Sequence, residues 1–345
     1  MKTWAAGENA YAADLNNNFD EASFMVFGNG SDGDVTISVN TSLARDMYYK
    51  NLTINNGIVL NPNGYRVFVR GTLTYVGTGK IARDGNAGTT GSTNSVNPAS
   101  LNRGAGGAAL ANGTLFGSLA GGYGGSGYFS CSYSGGPETG GVGGNASPSI
   151  PNVAGVAGGA GGGGGGAGVG GTPTLESFLM TGSRQYTVLS TTLNAENQGI
   201  ITDLIKLTGA TSAELLSGPA ASGGGGGGQG TGAWCGGYGG TGGGAGSNGG
   251  VIYIAAFSIV TVNGNTFVQA KGGNGANGQG GAGGGGGGGG GQGGLVVLVY
   301  RYLTGTGVID LSGGTGGTGG SGSNYGAGTN GAAGNAGKYI KVKIA

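Results

Sequence analysis

The stretch "GGNGANGQGGAGGGGGGGGGQGG", residues 272–294, carries almost no side chains, yet it keeps a register. Glycine stands at 272, 275, 278, 281, 284, 287, 290 and 293, while Asn, Ala and Gln fall only between. Glycine loses more conformational freedom on folding than any other residue, so such a run ordinarily reads as a linker. A linker has no reason to hold a period of three. A helix with three residues per turn does, and the polyproline-II type has no internal hydrogen bonds, so its N–H and C=O groups must be met by neighbours. Only glycine lets backbones approach closely enough for that. The expectation is a bundle of polyglycine-II helices with the conserved phase of glycine turned inward.

Other tracts test this idea. Gly313, Gly316, Gly319 and Gly322 hold the period, Tyr325 interrupts it, and Gly328, Gly331, Gly334 and Gly337 resume in phase. That pattern suits two helical legs joined at a tip. Gly237, Gly240, Gly243, Gly246 and Gly249 behave likewise, whereas 104–127 and 140–171 are less regular. Collagen needs about 15–20% proline, and seven prolines in 345 residues do not supply it.

Apolar segments alternate with the glycine tracts, so a core can form. Val35, Ile37 and Val39 alternate in "DGDVTISVN", and Asn-Asn-Gly at 55–57 and Asn-Pro-Asn-Gly at 61–64 are turn chemistry between short strands. The C-terminal third repeats the design from Val251, Leu295 and Lys338, starts spaced by roughly forty residues. Each full copy reads as strand, glycine turn, strand, glycine tract, with Gly77 matching Gly264 and Gly305. The fold class expected is mainly β: strand–turn–strand modules forming a β-solenoid or sandwich-like platform, with a glycine-helix bundle and one or two short α-helices. Along the chain this gives an N-terminal segment at 1–27, β modules at 28–86 and glycine-rich legs at 87–171. A helical insertion follows at 172–222, where Ile201, Leu204, Ile205 and Thr208 recur at helical spacing, then a leg at 223–250 and repeated modules with legs at 251–345.

Charge excludes more than it suggests. Only 8% of residues are charged, against about 25% in ordinary domains, and the net charge is +1 with no basic run. Nothing neutralises a phosphate backbone, so no nucleic acid is expected. No apolar run reaches the ~18 residues of a membrane span, and "MKTWAAGENAYAADLNNNF" lacks the apolar core of a secretory signal. The absence of histidine removes the commonest general base and metal ligand together. Asp32 and Asp34 in "SDGD" lack the remaining positions of a calcium loop, "GTGKIA" around Lys80 lacks the phosphate-loop spacing, and no carboxylate pair suits glycoside hydrolysis. The expectation is a non-enzyme without metal or cofactor. Cys131 and Cys235, each flanked by aromatics, are either a disulfide formed in an oxidising medium or two buried thiols.

Aromatic residues interrupt the glycine-rich ground at Tyr123, Tyr128, Phe129, Tyr133, Trp234, Tyr238 and Tyr325. Tyr and Trp offer contact area at low entropy cost, so Tyr128, Phe129, Tyr133, Trp234, Tyr238 and Tyr325 are candidate binding anchors; the plain alternative is that they cap the bundle.

Three resemblances give these features a context. "TWAAGENAYAADLNNNF", through Trp4, Gly7, Glu8, Ala12, Ala13, Asp14, Leu15, Asn16 and Phe19, resembles a segment that begins many tailed-bacteriophage fibre and tail proteins. The glycine legs are similar in composition and period to the receptor-binding adhesins at the tips of T-even-type long tail fibres. Those adhesins are smaller and attach through a different N-terminal domain. The β modules resemble those of phage virion proteins. The resemblance implies a virion protein assembled in the host cytoplasm, a tail fibre or adhesin. Trp4, Asp14, Leu15 and Phe19 would dock it on other virion proteins, with Asp14 capping a short helix. The glycine legs would present aromatic tips to a host surface protein or glycan, in a homo-oligomer such as a trimer. A capsid decoration or head-fibre protein is the alternative, followed by a depolymerising tailspike and an ice-binding protein of the snow-flea type.

Overall fold

The computed structural model describes residues 26–92, residues 103–125 except Phe116 and Leu119, and residues 239–344 except Ala282, Asn324 and Tyr325. Twelve strands are described: β1 (Asp34–Ile37), β2 (Thr41–Ser42), β3 (Met47–Tyr49), β4 (Asn51–Ile54), β5 (Val59–Asn61), β6 (Val67–Tyr75), β7 (Lys80–Ala82), β8 (Val251–Val260), β9 (Thr266–Gln269), β10 (Leu295–Thr304), β11 (Val308–Asp310) and β12 (Lys338–Lys343). They form two sheets. One has the order β1-β4-β6-β8-β10-β12 with β3 also on β6, and the other β11-β9-β7-β5-β2. Every pairing between these strands is parallel. The chain alternates between the sheets, so each passage lays one layer on the last. Strands on both sides of the long glycine-rich middle meet directly, because β6 pairs with β8 and β7 with β9.

Parallel ladders are favoured where both sheet faces are covered, and the burial pattern meets that condition. Between the sheets lies a core in which like positions stack from layer to layer. Leu52, Leu73, Ile259 and Leu303 form one such column, and Val67, Ile254 and Leu298 another. The opposite face of the larger sheet carries a second cluster of Val251, Ala255, Leu295, Val297, Val299, Ile340 and Val342. Phe27 belongs to it and meets Phe257 edge-on at 5.8 Å. Val39, expected to extend the first strand's alternation, lies beyond β1 and is exposed.

The turns between the two sheets explain the matched glycines. Gly77, Gly264 and Gly305 all have positive φ, at 54°, 74° and 91°, which a side chain would strain. Asparagines stitch successive turns. The side-chain oxygen of Asn56 accepts the Thr78 N–H at 2.9 Å, that of Asn263 accepts the Thr306 N–H at 2.8 Å, and Asn265 donates to the Gly77 carbonyl at 2.8 Å.

At the N-terminal end Asp32 accepts from the Arg45 guanidinium and from the Tyr48 N–H at 2.6 Å. The hint of a calcium loop is thus spent on an ion pair and a backbone cap. At the other end β12 pairs only with β10, and Tyr339, which continues the core-facing column, is exposed beside Lys341. Polar residues replace apolar ones there because no strand of the second sheet lies opposite. Lysines along such an edge also discourage pairing with another chain.

Two predictions concern this platform. Tyr75 is fully enclosed against Phe267, with no hydrogen-bond partner for its hydroxyl among the described residues, and burial holds its pKa well above the usual tyrosine value. Tyr75→Phe is therefore expected to raise unfolding free energy, by up to about 1 kcal/mol, in urea titration. The second concerns acid. The Arg45 hydrogen bond, helped by the Tyr48 N–H, lowers the Asp32 pKa. Burial pushes Asp310 up, but bonds from Lys271 and Ser312 outweigh it, so its pKa also ends below the usual value. Both carboxyls bind a proton less readily folded than unfolded. Their contribution is present above about pH 4 and is lost as pH falls through the folded values. Melting temperature should drop between about pH 4 and pH 2, and Asp32→Asn with Asp310→Asn should flatten that limb.

Candidate functional site

Strands β7, β9 and β11 do not lead straight back to the larger sheet. After β7 the chain leaves as 84–92, returns as 103–110, turns near the sheets, leaves again as 118–125 and returns as 239–250 into β8. After β9 it leaves as 270–281 and returns as 283–294 into β10. After β11 it leaves as 311–322 and returns as 326–337 into β12. Arg83 sits at the root of these legs, almost wholly buried, donating to the carbonyls of Val251 and Ala111. Burial lowers its pKa to about 10.

Backbone hydrogen bonds join the legs with a period of three. Gly240, Gly243 and Gly246 donate to the carbonyls of Gly283, Gly286 and Gly289. Gly284, Gly287, Gly290 and Gly293 donate to Gly326, Thr329, Ala332 and Asn335. Gly285, Gly288, Gly291 and Gly294 donate to Gln279, Ala276, Gly273 and Ala270, running antiparallel. These bonds measure 2.7–3.0 Å. Side-chain amides fill phases that glycine leaves open. Asn274 and Asn277 accept the N–H groups of Thr315 and Thr318, Asn248 accepts that of Gln292, and Gln292 accepts that of Asn335.

The number of glycine phases in a leg follows the number of sides on which another leg lies. In 326–337 only Gly328, Gly331, Gly334 and Gly337 face a neighbour, and Thr, Asn and Ala occupy the two exposed phases. In 311–322 two phases are glycine, and Ser312, Thr315, Thr318 and Ser321 take the third. Leg 283–294 is buried throughout, and a Cβ on either of two phases would run into a neighbour's carbonyl. A Cβ at 272, 275, 278, 284, 287, 290 or 293 would meet the backbone of another leg. The second obligatory phase, at 285, 288 and 291, is invisible in 283–291, where every residue is glycine.

The far ends of the legs lie together. Gly242 donates to Gly125, Gly240 to Gly283, Gly281 to Ser321 and Gly284 to Gly326. The described leg ends at Gly125, Gly240, Gly281, Gly283, Ser321 and Gly326 therefore stand at the end remote from the sheets. The candidate anchors Tyr128, Phe129, Tyr133, Trp234, Tyr238 and Tyr325 lie outside the described residues, as do Trp4, Asp14, Leu15 and Phe19, the cysteines Cys131 and Cys235, and the expected helical insertion at 172–222. One aromatic of the glycine-rich ground is described. Tyr123 is 52% exposed, and the Arg103 guanidinium from the adjoining leg lies 4.7 Å from its ring centroid. Sequence reasoning passed over Arg103, whose signal was that it is a lone charge in "NRGAGG".

Replacement of an enclosed glycine should be far costlier than replacement on an outer leg. Gly288→Ala drives a Cβ into the Gly244 carbonyl and is expected to cost about 2–3 kcal/mol, whereas Ala333→Ser on an exposed phase should stay within about 0.5 kcal/mol. Denaturant unfolding of the two variants measures both.

Among the described residues no group of three His, Cys, Asp or Glu side chains could hold a metal ion, and no helix is long and apolar enough to cross a membrane. Comparison of the chain with protein-family models, with curated proteins and with solved structures found no match.

Proposed function

We propose that the chain is a structural protein of a bacteriophage virion, a tail fibre or adhesin that binds a host-cell surface receptor. In this reading the stacked strand modules are a β-solenoid platform and the legs are polyglycine-II helices, standing about 37 Å off it at ~3.1 Å per residue. Residues 1–27 dock on other virion proteins through Trp4, Asp14, Leu15 and Phe19, and the assembled form is a homo-oligomer, a trimer by resemblance. The receptor is a surface protein or glycan met by Tyr128, Phe129, Tyr133, Trp234, Tyr238 and Tyr325. No catalysis, cofactor, nucleic acid or membrane insertion enters.

The observation that carries the reading is the polarity of the legs. Their roots are locked into two sheets, and the described legs that end at Gly125 and begin at Gly239 bracket residues 126–238, which hold five of the six candidate anchors. A rigid stalk that costs little entropy to hold still, with its candidate anchors set towards one end, suits recognition at a distance from the attachment point. The sparse charge and the absent histidine leave little for a depolymerase to use.

Immunogold electron microscopy with antibody against the purified chain tests this directly. Label at the distal end of a tail, and binding of the purified chain to susceptible cells, is the expected result. Label spread over the head would move the protein to a capsid decoration or head fibre, and particles without label would end the virion reading.

A further inference from the structure

The described legs carry one charge beyond their roots, Arg103, and one aromatic, Tyr123, and the fold puts them against each other near the far end of the bundle. The carboxylates of the described residues stand elsewhere. Asp32, Asp34 and Asp46 lie with the sheets, paired with Arg45, Lys50 and Arg66; Asp310 pairs with Lys271; and Asp84 at a leg root accepts from Gln269 and the Lys271 N–H. The positive charge of Arg103 is therefore not neutralised by any described carboxylate, in a body where charge is otherwise scarce.

We infer that Arg103 and Tyr123 form a contact for an oxyanion, carboxylate or phosphate, borne on a surface polysaccharide. This rests on the adhesin reading and gives it a ligand class. A guanidinium laid against an aromatic ring keeps its N–H edges outward, in the planar fork that matches a carboxylate or phosphate through two hydrogen bonds. More than half of Tyr123 remains exposed, which leaves ring surface beside the guanidinium for the apolar face of a sugar. The backbones that carry the pair are also tied together. Gly104 donates to the Gly242 carbonyl at 3.1 Å and Gly124 to the Gly104 carbonyl at 2.8 Å. A Cβ at Gly104 or Gly124 would strike neighbouring carbonyls, so the two legs are locked at close approach. A preorganised cation of this kind loses little freedom when it binds.

The test uses the full chain immobilised for biolayer interferometry against polygalacturonate for carboxylate, poly(glycerol phosphate) for phosphate and dextran as the neutral polymer. The expected result is binding to one of the two anionic polymers at least about tenfold tighter than to dextran, weakened by salt. Arg103→Ala should abolish that margin. Arg103→Lys keeps the charge but not the fork and should retain only part of it, and Tyr123→Ala should lower it too. Melting temperatures matching the parent chain show that the variants fold. Binding equal to dextran, or an Arg103→Ala chain that binds like the parent, would overturn the inference. Cell adhesion undiminished in Arg103→Ala would sink this site and leave the adhesin reading standing. Arg103-dependent polymer binding by a chain that does not adhere to cells would do the reverse.

Discussion

The structure depends on one contact, a backbone N–H meeting a carbonyl on an adjacent leg with no Cβ between them. The backbone hydrogen bonds of the legs run from one leg to another, so each leg is stable only in the company of others. In 283–294, one phase of N–H groups points to the leg at 326–337 and the next to the leg at 270–281, while a row of carbonyls accepts from the leg at 239–250. Single bonds of this sort contribute little net stability. Their number, and the exclusion of water from an almost side-chain-free interior, is what offsets the entropy lost by so many glycines.

The sheets solve the remaining problem, which is how to begin. Legs without internal bonds have no nucleus, and the parallel ladders supply one by fixing where each leg starts and stops. Leg 270–281 follows β9, and leg 283–294 runs into β10. Because β8 and β10 pair over most of their lengths, from Leu295 beside Val251 to Thr304 beside Val260, the legs entering them arrive in register. The same offset continues outward as Gly249 to Gln292 and Gly246 to Gly289. Strand register and leg register are one alignment. Arg83 reinforces the junction by tying the turn at Ala111 to the first residue of β8.

Much of this could be read from the residues, and the gaps have physical causes. The three-residue period was visible in 270–281 because Asn and Gln mark the positions where glycine is not required. It was half visible in 283–294, where Gly287 and Gly288 are both obligatory but look alike. The glycines matched at 77, 264 and 305 all stand in turns with positive φ. The pairing of β6 with β8 across the long glycine-rich middle was not announced, because local patterns carry no information about which layer stacks on which. Arg103 and Tyr123 meet for the same reason: neither residue has a spacing that points to the other, and only the packing of two legs sets them together.

The period also sets a rule for how the protein can change length. Adding one residue to a leg puts everything beyond it out of step with the three-residue period of the hydrogen bonds, bringing Thr, Asn or Ala where a neighbouring carbonyl leaves no space. Adding three to the outgoing leg alone restores the phase but lifts its tip past that of its return. Both legs of a pair must grow together and in threes. In a gene, that means paired insertions of nine bases, a narrow path for lengthening the stalk.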